Sequence, residues 1–118
     1  MNKQLLGARG EEEIRRYLEG KGAAVLDRNW RIKEGEIDLV ALTPDGEIIF
    51  VEVKSRTSRK YGDPLEAITP IKAERLQRLA LAWLAVHGHW GSPFRIDCAG
   101  VLYLSDGRTE IDYREGVL

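Results

Sequence analysis

The sequence has little cysteine, little histidine and no excess of charge of either sign. Its 118 residues include one cysteine and two histidines, and the formal net charge is −1. A single cysteine excludes an intramolecular disulfide framework and suits a reducing compartment, so we expect Cys98 to be a small buried strand residue. A nearly neutral chain is not drawn to nucleic acid as a whole, so any such attraction must come from a local cluster of cations.

Several common signals and motifs are also missing. No apolar stretch reaches membrane-spanning length, and the first residues lack the apolar core of a signal peptide, which predicts a cytoplasmic protein. The chain has no Gly-x-Ser-x-Gly elbow, no Walker loop and no dinucleotide fingerprint, so nucleophilic-serine and nucleotide-cofactor chemistries have no support. His87 and His89 have no cysteine or acid at ligand spacing nearby, which disfavours a metal role for them.

What the chain does contain is an alternation of helical and strand patterns. Glycines end the first helical pattern, and Thr69 followed by Pro70 is typical of the start of a second helix. The size and the absence of repeats or linkers predict one α/β domain over 1–118 with the order αβββαββ. The predicted elements are helices over 3–21 and 70–86, a strand over 23–32, a hairpin over 36–54, and strands over 94–104 and 109–115.

Two acids and a lysine lie on the predicted hairpin, with Asp38 on its first strand and Glu52 and Lys54 on its second. The Pro-Asp-Gly loop inside 43–47 predicts a register that opposes Asp38 to Glu52 and Glu36 to Lys54 on one face. Opposed like charges are destabilising, and a divalent cation would offset their repulsion. The simpler interpretation is a solvated strand face. The same face continues into apolar residues, however, which favours a site where a buried surface reaches solvent.

A further carboxylate is expected from the first helix. Glu11 lies one turn before Ile14, at the rim of the core-facing stripe, whereas the glutamates that follow it point elsewhere. Glutamates in a first helical turn also interact favourably with the helix dipole, and this simpler role stays open for Glu11. Glu36, on the strand face of Asp38, is predicted to support the site.

Basic residues follow the carboxylate strand directly. The segment 54–60 holds four cations and no acid, and such a run can neutralise phosphates beside a metal site or form an exposed, solvated loop. On the second helix, basic residues recur every three positions as a ridge that could meet a phosphate backbone or solvent. The residues that we predict to bind nucleic acid are Arg56, Arg59, Lys60, Lys72 and Arg75.

The order of these features resembles the PD-(D/E)XK nuclease superfamily, whose core is αβββαβ. More closely, the chain is similar to the YraN-like family of small bacterial proteins, which is assigned to that superfamily and is close in fold to archaeal Holliday junction resolvases. The strings Gly-Glu-Ile-Asp-Leu at 35–39 and Phe-Val-Glu-Val-Lys at 50–54 carry the resemblance. Ile37 stands where the superfamily has proline, as is usual in this family. The other matching residues, which span nearly the whole chain, are Gly10, Glu11, Arg28, Asn29, Trp30, Gly62, Pro64, Lys72, Arg95, Ile96 and Asp97.

The resemblance implies a restriction endonuclease-like core, in which two helices flank a mixed central sheet, with an extra C-terminal strand in this chain. It also implies that Asp38, Glu52 and the Val53 carbonyl bind a metal ion. Glu11 would support that ion through water, and Lys54 would lie beside the attacking water. By this resemblance Asp38, Glu52, Lys54 and Glu11 are the catalytic residues.

The sequence therefore predicts a Mg²⁺- or Mn²⁺-dependent nuclease, or a nuclease-like nucleic-acid-processing protein, that hydrolyses phosphodiester bonds. Substrate choice would be structure-selective or non-specific, because contacts to the backbone carry no sequence information. DNA is favoured over RNA and no membrane partner is expected, while endonuclease or exonuclease action and monomer or homodimer stay open. The alternatives are a non-catalytic nucleic-acid-binding module that keeps the fold, and a protein-interaction domain without salt-dependent affinity for nucleic acid.

Overall fold

Two helices and five strands make up the described part of the chain, which covers residues 2–58 and 69–117 of this computed structural model. Their order is αβββαββ, as the sequence predicts. None of the described helices is long and apolar enough to cross a membrane. The helices are α1 (Lys3–Gly20) and α2 (Pro70–Val86), and the strands are β1 (Ala24–Ile32), β2 (Gly35–Leu42), β3 (Ile48–Arg56), β4 (Phe94–Tyr103) and β5 (Thr109–Arg114).

The five strands form one mixed sheet in the order β1-β2-β3-β4-β5. Neighbouring strands are antiparallel except for β3 and β4, which are parallel. A parallel pair needs a long crossover connection, and the chain between these two strands contains α2. The mixed sheet, with β5 added at one edge, is the α/β architecture that the sequence predicts.

One helix covers each face of the sheet. On one face α2 packs Trp83 against β3, with ring centroids of Trp83 and Phe50 5.6 Å apart. On the other face α1 packs Ile14 in a cluster with Val51 of the same strand. Strand β3 is therefore buried on both sides, as its continuous apolar run predicts. Cys98 on β4 is buried, also as predicted.

A tight turn joins β2 to β3. The Thr43 backbone N–H donates to the Glu47 carbonyl at 2.9 Å, and the Gly46 N–H donates to the Thr43 carbonyl at 3.0 Å. Gly46 has a φ of 92°, which lies in the region that favours glycine. Leu42 pairs with Ile48, which confirms the register predicted next to the turn.

The β2–β3 ladder ends earlier than the sequence predicts. Its last pair away from the turn is Leu39 with Val51, and within the described residues it does not continue to a pair between Asp38 and Glu52. Instead, the Asp38 carboxylate accepts a hydrogen bond from the backbone N–H of Val53 at 2.8 Å. The Asp38 side chain thus takes the place of a backbone partner for β3.

A break in the alternation of β2 accompanies this early end. Ile37 and Val40 belong to the same core cluster under α2 although they are three positions apart, whereas strict alternation puts residues two apart on one face. On the neighbouring strand β1, Asn29 has a φ of 50°, a conformation that non-glycine residues rarely adopt. Both strands are therefore irregular close to the acidic residues.

Candidate functional site

Three carboxylates from two elements come together where β2 and β3 separate. Glu11 projects from α1 and Glu36 and Asp38 from β2, and one carboxylate oxygen of each lies within 4.8 Å of the others. Asp38 is only 9% exposed, and the other two are half-buried. Carboxylate oxygens are the ligands that Mg²⁺ and Mn²⁺ prefer, so this acidic cluster (Glu11, Glu36 and Asp38) fits a hard divalent cation. Glu36, predicted only to support the site, offers an oxygen of its own.

A close approach between α1 and β3 brings Glu11 to the acidic cluster. A Cβ atom at Gly10 would lie 1.8 Å from Oγ of Ser55, so any larger residue would require the serine or the helix to move. The Glu11 side chain is also hydrogen-bonded to Asn29, on the irregular part of β1. Gly10 and Asn29 thus support the position of Glu11, a role that their place in the family motif did not reveal.

Burial and mutual repulsion disfavour the charged forms of these acids. Burial, followed by the negative charge of Glu52, raises the pKa of Asp38 to about 8, against the opposing hydrogen bond from Val53. Burial likewise raises the pKa of Glu11, against the opposing hydrogen bond from Asn29. Ionising Asp38 and Glu11 is therefore unfavourable in the protein alone, and a divalent cation would favour the ionised forms.

Two lysines share the carboxylate of Glu52. Glu52 Oε1 lies 3.3 Å from Nζ of Lys54 and 3.0 Å from Nζ of Lys72, and the Glu52 side chain is 9% exposed. Lys54 follows Glu52 on β3, whereas Lys72 reaches it from the first turn of α2. The sequence predicted Lys72 as part of a phosphate-binding ridge and missed this ion pair. The predicted metal ligation by Glu52 and by the Val53 carbonyl stays a prediction.

Sharing one carboxylate affects the two lysines differently. Burial and the contact with Lys72 lower the pKa of Lys54, and Glu52 opposes this without outweighing it. Burial also acts to lower the pKa of Lys72, but contacts with Lys54 and Glu52 outweigh it, so this pKa is raised. For both lysines, burial disfavours the charged form and Glu52 favours it.

The predicted opposition of Glu36 and Lys54 is wrong. Glu36 forms an ion pair with Arg31, its register partner on β1, and Lys54 turns toward Glu52 on its own strand. The reason is the early end of the β2–β3 ladder, which leaves Glu36 paired with β1 alone.

A basic groove adjoins the site where β3 ends beside the first turns of α1. Its volume is about 650 Å³. Three of its lining residues are cations, and none of its described lining residues is an acid. Such a lining suits a phosphate backbone. The lining residues are Lys3, Leu6, Gly7, Val53, Lys54, Ser55, Arg56, Thr57 and Ser58.

The residues predicted to bind nucleic acid do not all lie together. Arg56 lines the basic groove, and Lys72 lies at Glu52. Arg75 is exposed on α2, farther along the helix. Arg59 and Lys60 lie outside the described residues. Lys3 joins the groove from α1, and the spacing of basic residues along the sequence gave no signal for it.

Comparison with known proteins places the chain in a family. The model of the Uncharacterised protein family UPF0102 matches residues 10–101. The chain belongs to this family. It is 45% identical to UPF0102 protein Lxx14785 of Leifsonia xyli subsp. xyli, over 98% of each chain. It is 46% identical to a UPF0102 protein of Beutenbergia cavernae, over 98% of this chain and 97% of the relative. The matched residues include the whole acidic cluster, Glu52, both lysines that contact it, and Arg56.

Two solved structures show a more distant likeness. A repair endonuclease from Pyrococcus abyssi superposes with a TM-score of 0.48 and 18% identity, over 91% of this chain and 41% of the endonuclease. An EndoMS–dsDNA complex superposes with a TM-score of 0.44 and 18% identity, over 85% of this chain and 37% of the EndoMS chain. This UPF0102 chain thus spans less than half of either protein. Function has to be inferred from the site itself.

Proposed function

We propose that this UPF0102 protein is a divalent-cation-dependent nuclease that hydrolyses phosphodiester bonds. The observation that carries the proposal is the acidic cluster, three carboxylates within 4.8 Å of one another and next to a lysine–glutamate pair. Fully structural acids are normally paired with cations or hydrogen-bond donors. Glu36 has such a partner in Arg31. Burial and neighbouring acids nevertheless disfavour the charged forms of Asp38 and Glu11 despite their hydrogen bonds, which is typical of a functional site. Mg²⁺ or Mn²⁺ suits the donor set, and Glu11, Glu36 and Asp38 would hold it, with Glu52 as the neighbouring carboxylate.

The residues around the cluster suit attack by water on a phosphate. A bound divalent cation would supply Lewis-acid activation of the phosphate and would lower the pKa of water. Lys54 would orient the attacking water and offset the negative charge that develops on the phosphate oxygens. Hydrolysis forms a bond from the water oxygen to phosphorus and breaks one ester bond, and the leaving oxygen gains a proton.

The basic groove would hold the phosphate backbone beside the reacting bond. Lys3 from α1 and Arg56 from β3 both line the groove, as does Lys54, which also contacts Glu52. The described lining contains no aromatic residue on which a base could stack. Recognition would therefore act on the backbone, with structure-selective or non-specific substrate choice. We propose DNA as the substrate, with RNA as the alternative that the assay below includes.

A cleavage assay tests the proposal. Purified protein is incubated with labelled DNA junctions, flaps, single strands and RNA, in Mg²⁺, Mn²⁺ or EDTA. We expect cleavage of at least one substrate in a divalent cation, none in EDTA, and a loss of about a hundredfold or more in Asp38→Asn. Asp106→Asn is the matched control, because Asp106 is an exposed turn residue that pairs with Arg108.

One observation favours a second candidate, a nucleic-acid-binding module without catalysis. Lys54 and Lys72 already offset the charge of Glu52, so this part of the site holds together without a cation. Salt-dependent binding of DNA in EDTA, combined with no cleavage of any substrate in Mg²⁺ or Mn²⁺, would support this candidate over the nuclease.

A further inference from the structure

Lys72 occupies a position that is unfavourable for a cation. It lies in the first turn of α2, where its backbone N–H donates to the hydroxyl of the N-cap residue Thr69 at 3.2 Å. The helix dipole puts partial positive charge at this end of the helix, which disfavours a lysine. The first turn of α2 contains no acid that could offset it. The compensation comes from another element of the fold.

Glu52 on β3 supplies that compensation. Its Oε1 accepts from Lys72 at 3.0 Å while Lys54 lies 3.3 Å from the same oxygen. Lys54 is two positions along the same strand and on the same face, so β3 fixes its backbone position relative to Glu52. Lys72 reaches across from α2 on a flexible four-carbon side chain, 27% of which is exposed. Of the two lysines, Lys72 is the one held at Glu52 from outside the sheet.

We propose that Lys72 is a displaceable counter-ion, which holds Glu52 until a divalent cation and a substrate phosphate are both present. The inference rests on the proposed function, because it takes the acidic cluster as the cation site. A cation beside Asp38 attracts Glu52 and repels Lys72. The released Lys72 ammonium would then pair with a phosphate oxygen of the substrate. The N-terminus of α2, where Lys72 lies, also favours an anion.

This arrangement links the binding of cation and substrate. Without substrate, Lys72 competes with the cation for Glu52, so the affinity for the cation is reduced. With a phosphate present, Lys72 has another partner and the competition is relieved. By thermodynamic linkage, cation and phosphate then raise each other's affinity by the same factor.

Two simpler roles for Lys72 give different expectations. A lysine that only binds phosphate and does not compete for Glu52 would change the affinity for the cation only through its charge at a distance, by much less than tenfold. A lysine that only stabilises the fold would, on removal, lower the melting temperature equally with and without the cation. A displaceable counter-ion predicts a lower melting temperature in EDTA that saturating Mn²⁺ restores.

Calorimetric titration of Mn²⁺ into the full chain tests the inference. We compare wild type, Lys72→Met, Lys72→Arg and Lys72→Gln, each with and without a short phosphorothioate oligonucleotide. Without oligonucleotide, Lys72→Met and Lys72→Gln should bind Mn²⁺ about tenfold more tightly than wild type, because one nearby positive charge is gone. Lys72→Arg should stay close to wild type. The oligonucleotide should tighten Mn²⁺ binding in wild type and much less in Lys72→Met.

Arg78→Met is the matched control, because Arg78 is an exposed cation of the same helix that pairs with Glu74. It should leave the affinity for Mn²⁺ unchanged. Equal Mn²⁺ affinity in wild type, Lys72→Met and Lys72→Gln would overturn the counter-ion role while leaving the proposed cation site intact. No Mn²⁺ binding by wild type or by any Lys72 variant would overturn the cation site itself and the inference with it.

Discussion

Asp97 and Asp38 are both buried aspartates, but the protein surrounds them differently. Asp97 on β4 is fully buried, and Nε of Arg95 lies 3.0 and 3.2 Å from its two oxygens. The Tyr113 hydroxyl and the Gly116 backbone N–H also donate to it, at 2.5 and 2.9 Å. Asp38 on β2 instead has the acids of its own cluster as neighbours.

The fold surrounds the Asp97 carboxylate with opposite charge and hydrogen-bond donors, and it does much less for the Asp38 carboxylate. Arg95 extends the Asp97 network to Glu47 at 3.0 Å, so the buried acid is part of a chain of opposite charges. Burial and then the contact with Asp97 raise the pKa of Tyr113, which keeps its hydroxyl a donor. Asp38 accepts the Val53 N–H, but among the described residues it forms no ion pair like that between Asp97 and Arg95, and its pKa is raised to about 8. Acids of the first kind indicate stability, and acids of the second kind indicate a site.

The largest expected effect is on stability, at Asp97. Asp97→Asn leaves Arg95 without its buried partner and weakens the Tyr113 contact, and we expect the free energy of unfolding to fall by about 3 kcal/mol. Asp106→Asn, on an exposed turn, should change it by less than about 0.5 kcal/mol. Chemical denaturation of both variants in EDTA is the measurement. Equal stability of Asp97→Asn and wild type would remove the contrast with Asp38.

The next effect is on catalysis, at Lys54. If Lys54 stabilises developing charge, Lys54→Ala should keep its fold and its cation binding while cleavage drops on the order of a hundredfold or more. Single-turnover assays of Lys54→Ala and Lys54→Arg, with enzyme in excess, measure this. A lysine that only balances the charge of Glu52 would give modest destabilisation with cleavage rates near those of wild type in both variants.

A smaller effect is the pH dependence of stability in the absence of cation. Asp38 has an ordinary pKa near 3.8 and a folded-state pKa of about 8, so the folded state binds more protons between these values. The free energy of unfolding should therefore fall as pH rises from about 4 to about 8. Asp38→Asn should lack this part of the fall and should be more stable than wild type in EDTA at pH 8, by about 1 kcal/mol or more. Parallel pH profiles for wild type and Asp38→Asn would contradict a raised pKa of Asp38 in the folded protein.

The sequence predicted most of the fold because its signals are local. Thr69 is the N-cap of α2, with Pro70 at its first position, and the Pro-Asp-Gly loop set the hairpin register next to its turn. Alternating and continuous apolar runs likewise predicted the strands to within two residues of their observed ends. Such signals depend on backbone preferences within a few positions, which a sequence displays directly.

The site was only partly predictable, because its contacts are not local. Lys72 meets Glu52 through the packing of α2 on the sheet, and no spacing along the sequence indicates that ion pair. The early end of the β2–β3 ladder, which turned Asp38 toward the Val53 N–H and left Glu36 to β1, depends on an irregularity that alternation does not reveal. One weak signal was present in retrospect, since the helix dipole modestly disfavours a lysine in a first helical turn that has no acid.

The smallest expected effect is on binding in the basic groove. Arg56→Ala should weaken DNA binding several-fold, uniformly across sequences, and should reduce the slope of log affinity against log salt by about 1. Arg108→Ala removes an exposed cation at the turn between β4 and β5 and should leave the slope unchanged. Fluorescence anisotropy in EDTA over a range of salt concentrations measures both. An unchanged slope in Arg56→Ala would locate the binding surface elsewhere on the protein.

The central claim is that the acidic cluster binds a divalent cation. Its most direct test is the shift in melting temperature on adding Mn²⁺ or Mg²⁺. Wild type should gain several degrees at millimolar cation, because binding to the folded state stabilises it. Asp38→Asn should start from a higher melting temperature in EDTA and gain much less, whereas Asp106→Asn should gain as much as wild type. Equal gains in wild type and Asp38→Asn, or no gain in wild type, would contradict a cation site at these carboxylates.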